Sequence, residues 1–167
     1  MDDLLEALCY LLEDELERQE NVLAICRAQG QAARTHDVEC LEARTAALLP
    51  LIQEGVQADG LRTRLLAQIA ARAGMSVSRP CLSDVIPHAA EPCASRLRFY
   101  QSRLVEILGE TKSVVRANAI VLRGSLRVVS QAMKALEQCS ADAASYDAQG
   151  MGPQRANALP TVIDQRG

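Results

Sequence analysis

The stretch from about Cys93 to Cys139 constrains this chain more than any other: about 45 residues pass without a proline, enough to span ~70 Å as one helix. Stepped by fours and threes, it reads Leu97, Gln101, Leu104, Leu108, Thr111, Val115, Asn118, Leu122, Ser125, Val129, Ala132, Leu136 and Cys139. That 3.5-residue period is the seam of a helix packed lengthwise on other helices. Ile107, Val114, Val121, Val128 and Met133 flank the seam, so the stripe is wider than one partner helix covers. Such a face calls for a bundle or for a second, transient partner.

Two more helices precede it. The first is expected over residues 3–34, with Asp2 and Asp3 suiting its N-terminus. Its ladder is Leu5, Leu8, Leu12, Leu16, Gln19, Leu23, Cys26, Gly30 and Ala33, with Glu13, Asp14, Glu17, Arg18 and Glu20 turned to water. Gly30 and the polar run from Arg34 to Asp37 predict fraying and a turn, after which Asp37 caps the next helix. That second helix, over 38–73, is read through Val38, Leu41, Thr45, Leu48, Ile52, Val56, Leu66, Ile69 and Ala73. Pro50 is expected to kink it, and Gly55 and Gly60 interrupt its pattern. Gly74 ends it. Pro80, Pro87 and Pro92 make 75–92 a connector with at most one turn near Ser83–Ile86, and Pro92 opens the third helix, 93–139. The final 28 residues, Ser140–Gly167, hold three Gly, two Pro and few large side chains, too little apolar area to offset the entropy of ordering. The expectation is an all-α chain. Residues 1–139 form an elongated antiparallel bundle of three long helices with coiled-coil-like packing, and 140–167 a flexible tail.

Composition agrees. Apolar residues make up 49% of the chain and aromatics only 2%, a supply suited to interlocking aliphatic seams rather than a round core. The net charge of −3 argues against a general nucleic-acid binder. Residues 1–20 carry eight acids and one Arg, whereas 96–134 carry eight bases and two acids, so the first and third helices are expected to pair. The acidic start MDDLLEALCY lacks the features of a secretory signal, and no uncharged apolar run approaches the ~20 residues of a membrane span. A cytoplasmic chain without membrane insertion, its six Cys reduced, is expected.

No chemistry converges. His36 and Cys40, four apart, could share a helix face as zinc ligands sometimes do, but read as a helix-end histidine beside an incidental cysteine. Cys81, His88 and Cys93 surround the connector without the spacing of a common zinc site. Neither histidine sits mid-helix as a phosphotransfer histidine would. The GMG near Gly150 lacks the helix and lysine of a phosphate loop, and Glu13 and Glu17 read as solvated charge. Arg96, Arg98, Arg103, Lys112, Arg116, Arg123, Arg127 and Lys134 have only Phe99 and Tyr100 as stacking partners, so nucleic acid is not expected. An enzyme is not expected either, with no catalytic residue, cofactor or metal. Asn118, on the seam with Thr111 and Ser125, either sets helix register or keeps an open groove soluble; Thr111 and Ser125 read equally as small side chains at close helix contacts.

Order and local wording together resemble the FlgN-type flagellar export chaperones. The resemblance rests on Leu11, Leu12, Glu15, Leu16 and Leu23, then on Asp37, Glu39 and Leu41 opening the second helix. Asn118, Leu122, Ser125 and Leu126 follow, then QAMKAL and, after the third helix, SYDAQG. Where that family often has a second asparagine three residues before Asn118, this chain has Val115. The resemblance implies a type III secretion chaperone that binds terminal helical segments of hook-associated (hook–filament junction) proteins, prevents their premature assembly and delivers them to the export gate. Its implied partners are those proteins, the cytoplasmic domain of the export-gate membrane protein, and the export ATPase complex. The cargo helix would lie on Val115, Asn118, Leu122, Ser125, Val129 and Leu136, gripped by Leu159, Val162 and Ile163 of the tail. By the same resemblance Tyr146 docks on the gate. The competing expectation is a generic coiled-coil adaptor or oligomerising scaffold, whose stripe is satisfied by self-association. Oligomeric state stays open.

Overall fold

The computed structural model describes residues 1–144, with side chains through Gln138. Those residues are all-helical: α1 (Asp2–Thr35), α2 (Val38–Arg72), a one-turn α3 (Leu82–Val85) running into a 3-10 turn at Ile86–His88, and α4 (Cys93–Ala144). The boundaries follow local chemistry. Asp2 and Asp3 lie in the first turn of α1, where the helix dipole favours negative charge. At its other end His36 takes a left-handed conformation (φ 57°), and Asp37 N–H bonds back to Ala32 O at 3.0 Å. Asp37 then caps α2, its Oδ1 accepting from Cys40 N–H at 2.9 Å. Gly74 (φ 67°) stops α2 while Met75 N–H reaches Ala70 O at 2.9 Å, the six-to-one bond of a Schellman end. In the connector, Asp84 Oδ2 accepts from Cys81 N–H at 2.8 Å and opens α3. The bonds from Cys81 hold the Asp84 carboxyl below its ordinary pKa.

The chain divides into two compact units, Met1–Gly124 and Ser125–Gly167. In the first, α1 and α2 form a hairpin. Gln29 bonds Thr45 near the turn, while Leu12 and Leu66 share one core far from it, so the two helices are antiparallel. Along α1 and α4 the paired numbers rise together: Glu6 with Arg96, Glu20 with Arg103, Cys26 with Asn118. Those two helices run parallel. The main core joins Leu5, Leu8, Cys9 and Leu12 of α1 to Leu66 and Ile69 of α2, Val85 and Ile86 of the connector, and Leu97, Tyr100 and Leu104 of α4. In the second unit the described part is the C-terminal portion of α4, and every side chain from Leu126 to Gln138 is exposed.

Three expectations need correction. Gly30 does not fray α1; it is a buried position inside the helix. In α2, Ile52 and Val56 are not seam residues, being 52% and 70% exposed. The face toward α1 runs instead through Leu41, Leu48, Leu51, Gly55, Ala58, Arg62, Leu65 and Ile69, all buried or half-buried, again at 3.5 spacing. The register of one continuous helix is set where it buries most area, at Leu66 and Ile69. Counting back from there by threes and fours lands on Ala58 and Gly55, not on the larger neighbours. α2 is uninterrupted through Pro50. Arg18, expected in water, is largely covered and paired with Glu15.

Candidate partner-binding face

The lower part of α4 is a core helix. Leu97, Tyr100, Leu104 and Ile107 are buried, and ion pairs tie the flanks to α1: Arg96 to Glu6 at 2.8 Å, Arg103 to Glu20 at 3.7 Å, and Glu110 to Arg27. The Glu6 carboxylate raises the Arg96 pKa further, and the guanidinium lies 5.7 Å from the centre of the Tyr10 ring. These contacts are solvent-exposed, where water and salt screen ion pairs and side-chain entropy offsets most of their attraction. The expected match of an acidic first helix to a basic third is therefore present, as register guidance more than as stability.

Above Ile107 the seam changes character. Thr111 is half-buried, and its Oγ1 is enclosed without a hydrogen-bond partner among the described residues. Asn118 is the buried polar residue of the helix, 7% exposed, and its Nδ2 donates to Cys26 O at 2.7 Å. The approach is possible because Gly30 has no side chain. A Cβ there would sit 2.2 Å from Asn118 Oδ1 and 3.1 Å from its Cγ. Asn118 thus crosses to α1 and fixes register, one of the two roles open to a polar seam residue.

Among the described residues, the aliphatic side of α4 has no such cover. Val115 is exposed, Leu122 and Ser125 are half-buried, and Val129 and Leu136 are 59% and 65% exposed. Leu126, Val128 and Met133 are exposed with them. Of the sequence-derived site residues, the structure therefore puts Val115, Val129 and Leu136 in solvent and Asn118 against α1. Tyr146, Leu159, Val162 and Ile163 lie outside the described residues.

Sequence reasoning missed two other apolar features of the first unit. One is a stripe on α2, Leu49, Ile52 and Val56, left in water by the register described above. The other is a cleft of about 340 Å³ lined by Leu12, Arg62, Thr63, Leu66, Pro80, Cys81, Leu82, Gln101, Leu104, Val105 and Leu108. Its one foreshadowing signal was the connector's own Pro80 and Leu82, whose packing partners a sequence does not specify.

Among the described residues the thiols are buried or scattered rather than gathered with other titratable groups. Cys9 and Cys93 thiols lie 3.5 Å apart. Burial, reinforced by the bond to Cys93, pushes the Cys9 thiol up to about 12, and burial raises Cys26 as well, so both are poor nucleophiles at neutral pH. Among the described residues no three His, Cys, Asp or Glu side chains come together as metal ligands. No helix among them is long and apolar enough to cross a membrane.

Comparison with known families matches residues 1–153 to the family described as FlgN protein. No curated protein and no solved structure matches the chain.

Proposed function

Since this chain belongs to the FlgN family of flagellar type III export chaperones, we propose that it shelters the terminal helical segments of hook–filament junction subunits in the cytoplasm and hands them to the export gate. The observation that carries the reading is the uncovered aliphatic side of α4, from Val115 through Leu126, Val129 and Met133 to Leu136. Junction segments that form coiled coils only after assembly are apolar and adhesive beforehand, and an amphipathic helix laid on this face would cover both surfaces. Burying about five large aliphatic side chains contributes on the order of 10 kcal/mol gross. Ordering the cargo segment costs about 2–5 kcal/mol, so micromolar or somewhat tighter binding results, compatible with release. Asn118 serves by holding α4 to α1, while Leu122, Ser125 and, from the tail, Leu159, Val162 and Ile163 complete the grip. Tyr146 meets the cytoplasmic domain of the gate protein, with the export ATPase complex a further contact.

Co-purification with the terminal segments of junction subunits tests this. Val129→Ser with Leu136→Ser is expected to weaken capture at least ten-fold while helicity stays unchanged, and undiminished capture overturns the reading. Tyr146→Ala is expected to impair gate binding and spare cargo; equal loss of both would contradict that division.

A further inference from the structure

The basic residues of upper α4 are not scattered. Lys112, Arg116, Arg123, Arg127 and Lys134 follow one another at steps of four, seven, four and seven, which confines them to an arc of about 60° on the helix surface. All five are exposed, and none joins an ion pair among the described residues. The bases lower on the helix behave differently: Arg96, Arg98 and Arg103 each meet a Glu. Between Lys112 and Leu136 there is no Asp or Glu at all. The ridge runs beside the aliphatic face of Val115, Leu126, Val129, Met133 and Leu136, with centres about 100° apart around the helix. That is the relation between a coiled-coil seam and its flanking charged positions, the positions that choose a partner.

We propose that the occupant of this face is an acidic amphipathic helix, with Asp or Glu along one edge of its apolar seam at a spacing that answers this ridge. The inference rests on the cargo reading above and adds to it the charge class of the cargo segment. The ridge from Lys112 to Lys134 is ~33 Å long, so the matching segment is a helix of about 22 residues. Five like charges side by side repel one another in the free chaperone, and an acidic edge relieves that repulsion on docking. The ridge steers the segment and sets its register; the aliphatic side chains supply the burial. Nucleic acid, the other polyanion, is disfavoured because no aromatic side chain stands on α4 beyond Tyr100 to stack a base.

The test titrates the full-length chain with three synthetic 24-residue peptides. One is an amphipathic helix with Glu along one edge of a Leu seam. The second has those Glu replaced by Gln. The third has the acidic composition in scrambled order. A single-stranded RNA of 12 nucleotides is the fourth probe, and sedimentation fixes the oligomeric state. The acidic amphipathic peptide is expected to bind at least ten-fold tighter than its Gln counterpart. That advantage should shrink several-fold between 50 and 300 mM salt and vanish in Arg116→Gln/Arg123→Gln/Arg127→Gln. Equal binding of the Glu and Gln peptides overturns the proposal without reference to any variant's folding. So does scrambled peptide or RNA binding as tightly as the ordered acidic helix, or a stable dimer that hides the ridge. Junction-subunit capture that survives while the acidic preference is absent sinks only this inference; an acidic preference without capture of junction segments sinks the cargo reading instead.

Discussion

A methyl group on Gly30 would stand 2.2 Å from Asn118 Oδ1, so Gly30→Ala must push the amide off Cys26 O. Ala gains about 1 kcal/mol over Gly in helix propensity, but breaking a buried hydrogen bond and leaving its groups unsatisfied costs about 1–3 kcal/mol. We expect Gly30→Ala to destabilise by about 1 kcal/mol in denaturant titration. In an Asn118→Ala background the same change should stabilise, and a sign that does not reverse would separate the two residues. Thr111 is the opposite case: its enclosed hydroxyl lacks a partner among the described residues, so Thr111→Val is expected to stabilise by about 1 kcal/mol. For the thiols, the folded Cys9 value of about 12 stands above the ordinary 9.0. The stability this contributes is complete below the ordinary value and drains away as pH rises from there through about 12. The matching readout is iodoacetamide at pH 8, where exposed Cys81 should react in the native chain and buried Cys9 only after denaturation.

At the scale of elements, α2 is the informative helix. Its buried face is set by Leu66 and Ile69, and that choice strands Leu49, Ile52 and Val56 in solvent. Ile69→Ala should therefore cost about 2–5 kcal/mol, whereas Ile52→Ser should change the unfolding free energy by no more than about 0.5 kcal/mol. Ala58→Leu, which forces bulk into the α1 contact, should cost about 1–3 kcal/mol. The same contrast explains what a reader of the sequence could and could not obtain. The ladder of α1 was legible because its seam positions are its largest aliphatics, Leu5, Leu8, Leu12 and Leu23, and all four are buried. The α2 seam was obscured because Gly55 and Ala58 hold positions that a search for large side chains passes over. The ends of the helices were legible from Asp37, Gly74 and the three connector prolines. The Gly30–Asn118 contact was not, since a glycine inside a helix does not declare which side chain needs its empty space.

The whole molecule separates a core from a surface held open. Every member of the main core lies between Leu5 and Leu104, inside the unit Met1–Gly124, whereas the described side chains from Leu126 to Gln138 are exposed. A solitary helix face with Leu126, Val129, Met133 and Leu136 in water contributes little to folding free energy, because burial rather than composition stabilises. The exposed part of that stripe was visible in the sequence as a surplus over what neighbouring helices could cover. Truncation after Gly124 makes the separation measurable. The shortened chain is expected to stay helical and to melt within a few degrees of the full chain, since no described core residue is lost. Its capture of junction-subunit segments should fall at least ten-fold, because Val129, Met133 and Leu136 are gone. A scaffold that uses the stripe for self-association would respond otherwise. The full chain would sediment as a stable dimer, and the truncated one as a monomer of much lower melting temperature, its stability having been tied to the partner copy. A chaperone whose stripe awaits a client has no such stability to lose, so an unchanged melting temperature alongside abolished capture is the joint result that the export reading requires.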